Sequence, residues 1–260
     1  MRFLRFTLIG ILLVILITII SPLAQASFEE DYQTYLKTYD DYRGTYDNYI
    51  ITRNQYLSFG TLNSKTEALN AVKKFLNTRD DVLLLYIGLL RQKNTDILFR
   101  QLLDEEHDFL VTHQQKIPPI AALDDAVRLS SDVEDRHIEL QLVSRKVLGT
   151  VLTNKVEALK LQWVILQQDA LTIVQTLRSQ GKNTEVLERW LLDAKNKESV
   201  AEQKILQIRT QIAKLKSTTH DQLSDEFNKI QFSIFEANQY MHESINFLLE
   251  FAESVKYGNY

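Results

Sequence analysis

The chain has 260 residues, with 30 basic against 34 acidic side chains, no cysteine, 7 glycines and 3 prolines. Ordinary usage near 7% Gly and about 5% Pro would supply several-fold more turn residues, and sheets need a turn signal every dozen residues or so, so the composition predicts an all-α fold. The lack of cysteine excludes disulfides, thiolate metal sites, a cysteine nucleophile and a lipidated N-terminal Cys, and a net charge of -4 with mixed signs offers no basic field for nucleic acid.

Arg2 and Arg5 precede an uncharged apolar run at residues 6–20, which ends at Ser21-Pro22-Leu23 and Ala24-Gln25-Ala26. Positive start, apolar run and Ala-x-Ala tripeptide together predict a signal peptide over residues 1–26, cleaved after Ala26. The alternative is an uncleaved anchor, since residues 6–24 approach the ~17 to 25 needed to cross a bilayer. In either case the arginines stay inside and the rest is exported across the cytoplasmic membrane, as a secreted, periplasmic or cell-surface protein. Any membrane attachment is then through the N-terminal segment alone. Residues 27–260 are expected to form a single elongated domain, an antiparallel bundle of long helices with coiled-coil segments and an internal break around 117–123.

The first helix is expected over residues 27–59, stopped by Gly60. Ser64-Lys65-Thr66-Glu67 reads as a capping box opening a second helix to about residue 93. Asn94-Thr95-Asp96 caps a third, which Pro118-Pro119 ends. Asp124 and Asp125 open a helical stretch reaching residue 180 with Gly149 as its one breaker. At ~1.5 Å per residue it would extend about 80 Å, so a break is expected near residues 130–134. Gly181-Lys182-Asn183-Thr184 is a turn with its own cap, and helices at 185–216 and 221–256 complete the chain. Leu187, Leu191, Ala194, Ala201, Ile205, Ile208 and Ile212 keep a 3-4 spacing, as do Leu223, Phe227, Ile230, Ile234, Ala237 and Met241. A repeat near 3.5 lets helices wrap around one another.

The most unusual pattern is in the first helix. Tyr32, Tyr35, Tyr39, Tyr42, Tyr46 and Tyr49 are spaced 3-4-3-4-3, with Phe28 before them, Tyr56 after them and Thr38, Thr45 and Thr52 recurring every seven. On a helix these rings form one seam. Tyrosine buries a large apolar face but brings a hydroxyl that must reach water or a partner, which suits a shallow interface. The seam therefore reads either as a ladder of platforms for sugar rings or a partner helix, or as a surface that packs in cis. Cis packing explains the 3.5 period, and the aromatic-rich last helix, with Phe227, Phe232, Phe235, Tyr240, Phe247 and Phe251, is the expected acceptor.

Residues 82–90 are apolar on all sides. They read as a helix central to the bundle, with Gly88 permitting close approach, and in the sharper alternative as the membrane-inserting element of a pore-former, although nine residues reach only about 14 Å. Glu134-x-x-His137 and Asp104-x-x-His107, near Glu105 and Glu106, resemble half of a di-iron ligand set, but chance spacing explains them and no metal or cofactor is expected. His137 instead continues a stripe with Val133, Leu140 and Val147 and is expected to be buried or interfacial. Ser179-x-x-Lys182 straddles a turn, and no catalytic motif or phosphate loop is present.

The tyrosine ladder after an Ala-x-Ala site, together with Val186-Leu187-Glu188-Arg189-Trp190-Leu191-Leu192, resembles uncharacterised exported helical proteins of small-genome bacteria. That resemblance implies a bacterial envelope setting and no known activity. The expected function is a non-enzymatic scaffold or adaptor acting through helix-helix contact at the cell envelope, with a protein partner or self-association through Tyr32, Tyr35, Tyr39, Tyr42, Tyr46, Tyr49 and Tyr56. Its rivals are a binder of cell-wall glycan using the same rings and a pore-forming or membrane-remodelling protein.

Overall fold

A computed structural model describes residues 22–216 and 219–258, with side chains from Phe28 onward. The apolar run at 6–20 and the two leading arginines lie outside the described residues. Six helices account for the fold and no strand occurs among the described residues: α1 Pro22–Phe59, α2 Leu62–Lys93, α3 Ile97–Gln115, α4 Leu123–Ser179, α5 Glu185–Lys214 and α6 His220–Tyr257.

The helix ends follow capping chemistry more closely than they follow motif spacing. α1 is already helical at Pro22, where the described residues begin, ahead of the expected start at residue 27. Gly60, at φ 62°, closes it by donating to the Tyr56 carbonyl at 2.8 Å. Thr61, three residues ahead of the expected Ser64, caps α2 by accepting from the Ser64 amide at 3.1 Å, while Glu67 accepts instead from the Asn63 side chain at 2.8 Å. Asp96 caps α3 through the Leu98 amide at 2.8 Å, as its position suggests. Before α5 the Thr184 hydroxyl turns to Glu188, leaving Asn183 to accept from the Glu185 amide at 3.0 Å.

The break expected near residues 130–134 is absent, and α4 runs unbroken for 57 residues. Leu129 and Val133 are buried on one face, and the Ser130 hydroxyl, which could have competed for the backbone, is engaged by Glu134 at 3.0 Å and Arg79 at 2.9 Å. The described residues divide into two compact units between Val147 and Leu148, inside α4.

Within the first unit α1, α2, α3 and the start of α4 run alternately up and down. The pairs Thr45 with Thr78 and Tyr35 with Tyr86, then Asp80 with His113 and Arg91 with Asp104, step forward on one helix as they step back on the next. Val72, Phe75, Leu76, Ile117, Ile120, Ala126 and Leu129 form its buried cluster. No residue of the 82–90 segment is exposed, and Val82, Ile87, Leu89 and Leu90 are buried, which places the run against protein. Among the described residues no helix is long and apolar enough to cross a membrane.

The second unit holds the rest of α4 with α5 and α6, again antiparallel: Lys204 reaches Glu236 and Lys197 reaches Glu243. The stripes read from the sequence are its core, with Leu187, Ala194, Ala201 and Ile208 on α5 and Leu223, Ile230, Ala237 and Met241 on α6 all buried. Close approach occurs here and not at Gly88. A Cβ on Gly88 would meet nothing within 4 Å, whereas one on Gly149 would lie 3.0 Å from Ile212 Cδ1.

Candidate functional site

The seven-residue period of α1 puts alternate tyrosines on two different lines. Tyr35, Tyr42, Tyr49 and Tyr56 are half-buried, as are Thr38 and Thr52, and Thr45 between them is buried, whereas Tyr32, Tyr39 and Tyr46 retain 39%, 43% and 44% of their surface. A helix turning 100° per residue separates these lines by about 60° (three residues fall 60° short of a full turn), so one faces α2 and the other forms its shoulder.

The inner line packs on α2, which corrects the expectation that the seam would rest on the last helix. Phe75 is its hub: Tyr42 stacks on it at 5.6 Å, Tyr49 lies nearly parallel to it at 5.7 Å and Tyr46 reaches it at 5.3 Å. Tyr35 meets Tyr86 at 6.0 Å. Between these rings Thr45 and Thr78 share a hydroxyl hydrogen bond of 2.7 Å, and each hydroxyl also lies within reach of a carbonyl of its own helix, so the seam is polar at its centre yet satisfied. At the far end the Lys93 ammonium sits 3.9 Å over the Phe28 ring. Burial pushes the hydroxyl pKa of Tyr35, Tyr42 and Tyr86 above the ordinary phenol value, with neighbouring phenols adding to it at Tyr35 and Arg79 opposing it at Tyr42. These hydroxyls remain neutral donors. The last helix uses its aromatics otherwise: Phe227 and Phe251 are core, Phe247 stacks on Trp190, and Phe232 and Phe235 are 63% and 64% exposed.

The shoulder is a second line with its own heptad spacing. Tyr32, Tyr39, Tyr46 and Arg53 alternate at 4-3 intervals with Leu36, Arg43, Ile50 and Leu57. Among the described residues Arg43 and Arg53 form no ion pair, and neither do Asp40 and Asp47 on the flank.

A buried polar cluster that sequence reasoning missed lies deeper in the same unit. Asp80 and His113 are 0% and 1% exposed. His113 Nε2 donates to the Leu129 carbonyl at 2.8 Å, its Nδ1 meets the Asp80 carboxyl, and Arg79 Nε approaches the other Asp80 oxygen at 3.3 Å. Since a carbonyl can only accept, Nε2 carries a hydrogen and a further proton lies between Nδ1 and Asp80. Three helices are thereby tied through one imidazole, and both of its nitrogens are used. No local signal marks either residue, since Asp80 beside the exposed Asp81 reads as part of a solvated helix face. By contrast His137 is not buried and lies beside Gln141, and Arg136 turns inward in its place to hold Glu106 at 3.0 Å under the Phe109 ring. That pairing raises the Arg136 pKa. No three His, Asp or Glu side chains converge as a metal site among the described residues.

The chain matches no protein-family model, no curated protein and no solved structure.

Proposed function

We propose that this is an exported, non-enzymatic helical scaffold or adaptor that acts at the cell envelope through helix-helix contact, with α1 as the docking helix. The observation that carries the reading is the division of labour on α1: one line of tyrosines is consumed by α2, while a second line with heptad spacing presents half-exposed rings to solvent. A helix face patterned for coiled-coil packing that keeps its rings half-exposed, with Tyr46 alone of them reaching Phe75 of α2, has the form of a docking site. The signal peptide over residues 1–26 and coiled-coil character on the outer line of α1 belong to this reading. So does the absence of enzymatic function, because the pair most like a catalytic dyad, Asp80 and His113, has both ring nitrogens engaged.

The test is capture by immobilised exported chain from envelope extract, compared with isolated cell wall and with liposomes. Retention of envelope protein that is lost in Tyr39→Ala supports the adaptor. Retention on wall polymer instead would establish the glycan reading, which one specific observation favours: exposed rings recur every seven residues, about 10.5 Å along the helix. Binding to liposomes alone would sink both.

A further inference from the structure

We propose that the outer line of α1 is the contact for a second copy of this chain, forming an antiparallel, two-fold symmetric dimer; the inference rests on the reading of α1 as the docking helix. Charge and size complementarity favour a second copy as the occupant. When the two-fold axis passes beside the Gly44–Thr45 bond, Arg43 faces Tyr46 of the second copy and Ile50 faces its Tyr39, each contact occurring twice. Every large ring then meets an aliphatic chain or a guanidinium, and Arg43 lies level with Asp47 of the copy. A guanidinium over a Tyr face with a carboxylate beside it is favourable for a cation that has no ion pair among the described residues. The parallel, in-register alternative stacks Arg43 on Arg43 and Arg53 on Arg53, so like charges select the antiparallel sense.

Two further features fit. The line from residue 32 to residue 57 is about 39 Å long, enough for several turns of continuous packing. α1 is already helical and packed on α2, so no helix has to be ordered on association, which removes a main cost of pairing. A two-fold contact is also self-limiting, because each copy's patch is fully used by the other.

Sedimentation equilibrium of the exported chain should show a dimer. Arg43→Asp and Asp47→Arg should each raise the dissociation constant about tenfold or more, since each places like charges together. An equimolar mixture of the two variants should restore association as a heterodimer, because positions 43 and 47 then carry opposite charges across both symmetry-related contacts. Intramolecular effects cannot produce that rescue. Circular dichroism of each variant should match wild type, and the substitutions lie on an exposed face where folding tolerates them. A monomer at all concentrations up to ~100 μM, dimers indifferent to either swap, or a mixture that stays monomeric would each overturn the inference. A monomer that still captures an envelope protein through Tyr39 would overturn self-association and leave the adaptor standing. A dimer that captures nothing supports the pairing and removes the adaptor.

Discussion

Tyr42 and Tyr39 are three residues apart and chemically identical, yet they face opposite consequences on truncation. Tyr42→Ala removes a ring stacked on Phe75 and should cost about 2 to 3 kcal/mol, the range for large-to-small changes reduced for a partly wet site. Tyr42→Phe should cost little, since the hydroxyl loses mainly water. Tyr39→Ala should stay within ~0.5 kcal/mol while abolishing association, so denaturant midpoints and sedimentation on the same variants separate the two lines. At alkaline pH the inner line has a further signature. The raised phenol values of Tyr35, Tyr42 and Tyr86 mean that the stability tied to them is complete below pH 10.0 and lost as pH rises through their higher folded values. Ultraviolet titration should show a late-ionising group of tyrosines whose appearance coincides with loss of helix. At the buried cluster, Asp80→Ala leaves the imidazole and Arg79 without their common carboxylate, at a cost of about 3 to 5 kcal/mol. Asp80→Ala with His113→Ala should cost less than the sum of the two, because each single change already breaks the pair.

Most helix boundaries follow from punctuation: Gly60, Asp96, Pro118-Pro119 and Gly181 all sit within a few residues of observed helix ends. Local chemistry suffices there, because a cap needs only the amides of the next turn. The continuity of α4 was not legible, since Ser130 and Ser131 look like breakers until Arg79 and Glu134 occupy Ser130. Gly88 and Gly149 likewise exchange roles. Gly88→Ala should stabilise by about 0.8 kcal/mol, because the added methyl meets nothing and alanine is the better helix former. Gly149→Val should destabilise by about 1 to 3 kcal/mol, because its branches would press into the buried Ile212 side chain. Thermal melts of both variants check the inversion.

At the scale of the whole molecule, solvent-accessible ion pairs link stability to pH. In residues 148–260 three carboxyls lie below their ordinary value: Glu188 through Thr184 and then Arg178, Glu202 through Lys160, and Glu243 through Lys197 and then Gln239. Their contribution is present above pH 4.5 and is lost as pH falls through their lower folded values. The pairs are largely exposed, so each effect is small and weakened by salt. The melting temperature should therefore decline below that pH, and Glu202→Gln with Glu243→Gln should flatten the decline.

The sequence by itself determined the class of the fold, most helix boundaries and the core of α5 and α6, because turn residues act locally and a stripe of Leu, Ile and Ala at 3-4 spacing has one way to be buried. It also marked α1 as the exceptional helix. Only the tertiary structure decided which tyrosines are spent and which are offered. Their period is the same on both lines, and the choice depends on where Phe75 and Tyr86 of α2 lie, a relation between residues more than thirty apart in the chain. The same holds for Asp80 and His113: neither residue is distinctive in its own window, and the cluster exists because three helices bring a carboxylate, an imidazole and the Leu129 carbonyl to one point from which water is excluded.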